Sequence, residues 1–412
     1  MNILFVHEVD WLNKVVFDIH SLADGLSLRG HHVFAIDYED TWKQKNLFDL
    51  GSLKTSQFDG IARSLPGASV TLIRPGFIKI PALSRLSAAF THYKEIHKTI
   101  REKNIEVIIL YSVPTNGLQT VSLARKFKIP VIFRSIDILN MMVRYPALRR
   151  ITKFLEKKVY SSVDLVLPNT PQYLKYVSGM GVPESRIRLL PFPVDTSLFR
   201  PSVDSSEVRR KWDLEGEEQI IVFIGTLFEF SGLDEFLCRF PGVLKEVPQA
   251  RLLIVGDGPQ RSKLERIIAE MGLKNRVIIT GFQPYRTMPE YINLAAVCIN
   301  TFRVTGAIMD TFPSKIVQYA ACGKATVATP LRGITSLLPG ESHGVVYAAD
   351  AAGIVGEVIS LLKSAERRQQ IGQNGLNYVR DNFNYEKISG ELETILEEAI
   401  REKHHETTSR RN

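Results

Sequence analysis

Asp310-Thr311-Phe312-Pro313-Ser314-Lys315-Ile316-Val317-Gln318-Tyr319-Ala320-Ala321-Cys322-Gly323-Lys324 is the most informative stretch of the chain. Pro313 suits the first turn of a helix and Gly323 its end, which predicts a helix of about ten residues. Its N-terminus carries Ser314 and Lys315. Free backbone N–H groups and the positive end of the helix dipole attract anions there, and the lysine adds a full charge. Gln318 follows Ser314 by one turn, so both can face one cleft. An ordinary capped helix with a solvated lysine fits the same spacing, so the surroundings must decide.

Outward from that stretch, short β-rich runs alternate with longer helical ones. Strands are expected at 3–6, 32–36, 70–73, 107–110, 130–133, 164–167 and 187–190. After a proline-rich break at 191–201 the alternation restarts, at 220–224, 251–255, 277–280, 297–300, 325–328 and 344–347. Near-continuous Val/Ile/Leu runs belong to strands buried on both faces, hence to parallel sheets covered by helices. The expectation is an α/β chain of two Rossmann-like, doubly wound domains, 1–195 and 196–384, with a helix and polar tail over 385–412. Ligands in such folds sit beyond the carboxyl ends of the strands, so two domains offer one cleft between facing loops.

Composition narrows the class. The chain has 412 residues, 44% apolar and 23% charged, with a formal net charge of +8. Disorder, collagen and disulfide scaffolds are excluded; three cysteines (Cys238, Cys298, Cys322) make no framework, and no C-x-x-C pair suggests zinc. The mild basicity permits anionic partners and selects none. Met1 to Val6 is apolar but lacks a basic flank and is stopped by His7-Glu8, so no secretory signal is expected. No apolar run approaches the roughly 20 residues of a membrane span. A cytoplasmic location, with at most surface contact to a membrane, is the expectation.

The residues of 310–324 resemble the donor-binding motif of retaining glycosyltransferases with the GT-B fold, family four (glycosyl transferases group one), one variant of which reads Pro-Ser-Lys-x-x-Glu-Tyr. Leu253-Ile254-Val255-Gly256-Asp257-Gly258-Pro259 is similar to that family's Val-Gly-x-Gly-Pro turn, and Val277-Ile278-Ile279-Thr280-Gly281-Phe282 to its strand ending in glycine. Phe223-Ile224-Gly225-Thr226-Leu227 through Ser231-Gly232-Leu233 resembles the opening of its C-terminal domain, and 190–201 its linker. The order and spacing agree over roughly residues 165–385, and the N-terminal half agrees more loosely. The resemblance implies a C-terminal helix crossing back to the N-terminal domain. It also implies a nucleotide-diphosphate sugar as co-substrate, with no metal and no further cofactor.

On that resemblance the donor side comprises Gly225, Thr226, Ser231, Gly256, Gly258, Gly281, Phe282, Arg303, Ser314, Ile316 and Gln318, with Lys315 and Asp310 as catalytic groups. Asp310 and Gln318 stand where the family usually has two glutamates; Thr226 and Ser231 stand where it has Arg and Lys. The donor thereby loses two charge-assisted contacts, each worth roughly 1.5–3 kcal/mol. Lys315 can replace one charge and Lys14 another. Asp137, after an N-domain strand, resembles the position near the transferred sugar; a helix cap is its bland alternative. Trp11, Lys14 and Arg134 are assigned to the acceptor.

The implied reaction moves a sugar to an acceptor hydroxyl with retention, the acceptor being a glycan or a lipid-linked group. N–H groups at Ser314 to Ile316 and the Lys315 ammonium would stabilise the leaving diphosphate. The alternatives are a nucleotide-sugar 2-epimerase, a non-catalytic partner subunit and a basic membrane-surface protein. For the last, Arg144, Arg149, Arg150, Lys153, Lys157 and Lys158 face one acid, Glu156, among interleaved apolar residues, as in a helix lying on an anionic membrane surface. A helix packed on the sheet with a solvated basic face is equally consistent. Aromatic residues form no base-stacking platform, so nucleic acid is not an expected partner.

Overall fold

The computed structural model describes residues 1–39, 49–80, 83–143, 146–214, 216, 218–306 and 308–409. The chain forms two units: Met1–Pro193 together with Tyr385–Asn412, and Val194–Asn384. The division falls just ahead of the expected boundary at 195, and the C-terminal segment belongs with the N-terminal unit.

The first unit is built on a seven-stranded sheet of order β3-β4-β2-β1-β5-β6-β7. Its strands are β1 (Asn2–Val6), β2 (His32–Ile36), β3 (Ser56–Ile61), β4 (Val70–Arg74), β5 (Val107–Leu110), β6 (Val131–Ser135) and β7 (Leu165–Pro168). All pairs are parallel except β3 with β4. The order reverses between β1 and β5, so the loops after these two strands diverge and leave a crevice at the carboxyl edge. The run 187–190 was expected as a further strand. It does lie beside β7, giving Arg188 N to Val166 O and Leu190 N to Pro168 O, but closes only one bridge, Ile187 to Val166, before Pro191 ends it.

Helices cover both faces. Leu83–Glu102, Gly117–Phe127, Pro146–Ser162 and Pro171–Gly179 pack on one side through Ile96, Ile100, Val121, Val159 and Val177. Asp18–Leu28 covers the other, and the C-terminal helix Tyr385–Ser409 lies against it. Ile388, Leu392 and Leu396 enter the same core as Ile19, Leu22 and Leu26. Glu393 fastens the pair by accepting from Arg29 Nε (2.7 Å) and pairing with His31 Nε2 (2.6 Å).

The second unit carries a six-stranded parallel sheet of order β10-β9-β8-β11-β12-β13. The strands are β8 (Gln219–Ile224), β9 (Ala250–Val255), β10 (Val277–Ile279), β11 (Val297–Asn300), β12 (Thr326–Ala328) and β13 (Val345–Tyr347). Here the order reverses between β8 and β11. The helix foreseen around 313–323 spans Lys315–Ala321, shorter than expected at both ends. Gly323, at φ 68°, closes it: Gly323 N donates to Ala320 O and Lys324 N to Tyr319 O, a glycine-terminated cap.

Candidate functional site

In the second unit the candidate donor residues gather at the carboxyl edge, at the reversal point. Gly225 follows β8 directly, and Lys315 sits above it. A Cβ on Gly225 would come within 2.6 Å of the Lys315 Nζ. The missing side chain is therefore what lets the lysine cross the sheet end. There its ammonium lies 4.1 Å from the Phe223 ring centroid and 4.7 Å from that of Phe302, within cation–π range of both. Tyr319, one turn along the helix, holds this placement, because its buried hydroxyl accepts from Ile224 N at 2.8 Å.

Among the described residues no carboxylate or carbonyl pairs with the Lys315 ammonium. Burial alone lowers its pKa to about 7. Aromatic faces repay only part of the lost hydration, so the site holds an under-compensated cation, which an anion would complete. Ser314 N and Lys315 N also lack partners among the described residues. Ile316 N does not: it donates to Pro313 O in a closed turn, so its expected role as a donor-binding amide is corrected.

Gly256 follows β9 and bridges to Gly281, so three glycines line the edge beside β8. A Cβ on Gly256 would lie 2.0 Å from Gly225 O, and one on Gly258 2.7 Å from Leu227 N. Thr226 and Gln318 are partly buried beside them, and Phe282 is exposed. Ser231 is buried, and its carbonyl accepts from Thr301 Oγ1 at 2.6 Å. Two expected cleft charges are already balanced. Arg303 pairs with Asp234 (2.8 Å) and Glu235 (2.8 Å), so it braces the loop instead of offering a free cation. Asp310 takes two bonds from Arg332, at 2.8 and 3.0 Å.

In the first unit two acceptor assignments are corrected. Trp11 is 1% exposed and packs edge-on against Phe5 and His20 in the core. Arg134, also 1% exposed, pairs with Asp18 at 2.8 Å and donates to Leu167 O and Leu190 O. Its charge is spent inside the fold. Lys14 is exposed, its carbonyl accepting from Arg63. Asp137 has no hydrogen-bond partner among the described residues. Burial first, then the neighbouring Asp18 charge, raise its pKa to about 6. At the crevice after β1 and β5, Glu8 accepts from Thr115 N and Asn116 N, both at 2.7 Å.

Two family profiles match the chain: "Glycosyl transferases group 1" over residues 204–378 and "Glycosyl transferase 4-like domain" over 16–193. The chain belongs to the group 1 glycosyl transferases. A GDP-mannose-dependent alpha-(1-6)-phosphatidylinositol monomannoside mannosyltransferase of Mycolicibacterium smegmatis is 28% identical over 226 residues, 54% of this chain and 59% of that protein. N-acetyl-alpha-D-glucosaminyl L-malate synthase of Bacillus anthracis is 23% identical over 201 residues, 48% of this chain and 50% of that protein. The chain thus spans about half the length of the curated relatives it matches. Among solved structures, sucrose-phosphate synthase from Thermosynechococcus elongatus superposes with a TM-score of 0.72 at 17% identity, covering 97% of this chain and 99% of that one. Anabaena HepE in complex with UDP gives 0.71 at 16% identity, covering 97% and 100%. The fold is GT-B.

In this group 1 glycosyl transferase, sequence reasoning located Lys315 but missed what holds it. Phe223, Phe302 and Tyr319 come from separate elements, and only Tyr319 lay in the quoted stretch. Asn300 was missed as well. It ends β11 fully buried, with both side-chain amide atoms unpartnered among the described residues. Strand alternation puts it on the face of Cys298. A polar residue ending an apolar strand run was the available signal.

Proposed function

We propose that this chain is a retaining glycosyltransferase whose second unit binds the diphosphate of a nucleotide-sugar donor at Lys315. The carrying observation is the ammonium above Gly225, without an anionic partner among the described residues and framed by Phe223 and Phe302, at the reversal point of a parallel sheet. The bond from the anomeric carbon to the diphosphate oxygen breaks as the bond to the acceptor oxygen forms. The acceptor proton leaves on the departing phosphate. Lys315 stabilises the charge that builds there, as a fixed cation needing no reorganisation. The acceptor is a glycan or lipid-linked hydroxyl received by the first unit, where Asp137 and the loops after β1 and β5 lie at the carboxyl edge. The match to a phosphatidylinositol-mannoside mannosyltransferase supports a lipid-linked acceptor.

Calorimetry against UDP, GDP, ADP and CDP tests the donor half. One diphosphate should bind, and Lys315→Met should weaken it by roughly 10- to 150-fold, the loss of a charge-assisted contact. Because the free lysine titrates near 7, binding above that pH takes up a proton, and affinity should fall about tenfold per pH unit. Equal affinity at pH 6 and pH 9, or in the Met variant, would remove Lys315 from the diphosphate site.

A further inference from the structure

Three neighbouring helices on one face of the first unit leave large apolar side chains in water. On Leu83–Glu102, Leu86 is 70% and Phe90 67% exposed. On Pro146–Ser162, Ile151 is 56% and Phe154 59% exposed, and Leu148 adds to the same ridge. Leu118 begins the helix Gly117–Phe127 that packs between them. Single exposed leucines need no account, but a patch spread over three adjacent helices does.

Charge accompanies this patch. Arg149, Arg150, Lys153, Lys157 and Lys158 are all exposed on Pro146–Ser162. The one acid of that helix, Glu156, is fully buried and accepts from Asn140 Nδ2 (2.9 Å) and the Tyr176 hydroxyl (3.0 Å). Among the described residues, the outward face of the helix therefore carries cations and apolar side chains with no acid. Arg144 of the expected basic stretch lies outside the described residues.

Position adds a third argument. Each helix follows a parallel strand (β4, β5 or β6), so each begins at the carboxyl edge of the sheet. Leu86 and Phe90, Leu118, and Leu148 through Phe154 all lie in the first half of their helices. The apolar ridge thus runs along the edge where ligands of such sheets bind. Arg85, beside Leu86, bonds the Thr115 hydroxyl in the β5 loop at 2.8 Å, which ties ridge and crevice together.

We propose that this three-helix edge is a docking surface for an anionic lipid bilayer, with the apolar side chains entering the headgroup boundary and the cations pairing with lipid phosphates. An exposed apolar ridge flanked by the five exposed cations of Pro146–Ser162 suits a deformable anionic surface better than a protein partner of fixed shape. A membrane held there would present a lipid-linked hydroxyl directly to the crevice.

The test is co-sedimentation of the full chain with vesicles of equal parts phosphatidylglycerol and phosphatidylcholine, and with phosphatidylcholine alone. Binding should occur on the mixed vesicles and weaken sharply on the neutral ones and in high salt. The pairs Leu86→Ser with Phe90→Ser, and Ile151→Ser with Phe154→Ser, should each reduce partition at least about tenfold. Lys153→Ser and Lys157→Ser should each cost about fivefold. All six positions are exposed, so folding is retained. No sedimentation with mixed vesicles, or sedimentation indifferent to both apolar pairs, overturns the proposal. So does a self-associated wild type that the apolar pairs render monomeric, which would assign the ridge to a second copy. The assay reads no sugar transfer, so it can fail while the donor reading stands, and the reverse.

Discussion

A charge drawn out of water is informative when its surroundings fail to balance it, and the buried Arg134 and half-buried Lys315 differ in just this way. Arg134 has Asp18 and backbone carbonyls around it. Lys315 has two aromatic rings and nothing anionic among the described residues. Their substitutions should therefore move stability in opposite directions. Arg134→Ala strands the Asp18 carboxylate and should destabilise the first unit by roughly 3–5 kcal/mol. Nucleoside diphosphate affinity should not change; lost transfer with undiminished stability would instead restore an acceptor role. Lys315→Met removes an uncompensated charge and should raise the melting temperature at neutral pH. The sign with pH follows. The folded pKa, about 7, lies below the ordinary 10.5, so between these values the unfolded chain holds the extra proton. Wild-type stability should climb with pH across that window, and the Met variant should lose this rise. Thermal melts from pH 6 to 10 distinguish the two.

At the scale of elements, the carboxyl edge of the second sheet depends on glycines with different duties. A methyl on Gly225 meets the far end of a flexible lysine, whereas one on Gly256 meets the Gly225 backbone at 2.0 Å. Both sit at φ near 150°, so both variants carry strain (143° and 152°). Gly225→Ala should displace the ammonium and weaken diphosphate binding at least about tenfold, with a stability loss of roughly 1–3 kcal/mol. Gly256→Ala must force β8 and β9 apart and should cost more than Gly225→Ala in the melt. If Gly225→Ala binds diphosphate normally, the lysine has another route across the sheet end. Elements also set what a sequence can disclose. The strands that were foreseen are runs such as Val107 to Leu110, buried on both faces and apolar throughout. β3 was not foreseen: it is a largely exposed edge strand reading Ser-Gln-Phe-Asp-Gly-Ile, with a register shift between Phe58 and Ile61. Its pairing is set by β4, not by its own pattern. The same limit explains Trp11 and Arg134. Residue type marks them as able to bind a ligand, but only tertiary packing decides that they face inward. Lys315 could be placed because a proline, a serine and a glycine define its helix locally; Phe223 reaches it from β8, far off in sequence, and Phe302 from the loop that follows β11.

For the whole molecule, the discontinuous first unit has a consequence that the continuous second unit does not share. The helix Tyr385–Ser409 supplies Ile388, Leu392 and Leu396 to the core under Asp18–Leu28, although it follows the entire second unit in the chain. Burying each such side chain contributes roughly 1.5–3 kcal/mol, and a domain holds only about 5–15 kcal/mol in total. Ending the chain at Asn384 should therefore abolish or severely lower the melting transition of the first unit. The second unit, whose core is drawn from residues 221–371, should keep its own. Calorimetry of the wild type should resolve two transitions, with a bound nucleoside diphosphate raising only the one that survives truncation. At a hundredfold excess over the dissociation constant that stabilisation is about 2.7 kcal/mol. A truncated chain that retains both transitions would show that the returning helix is an accessory and not a member of the first unit's core. Loss of both would mean that the second unit needs the first in order to fold, and each outcome has its own trace in a single scan.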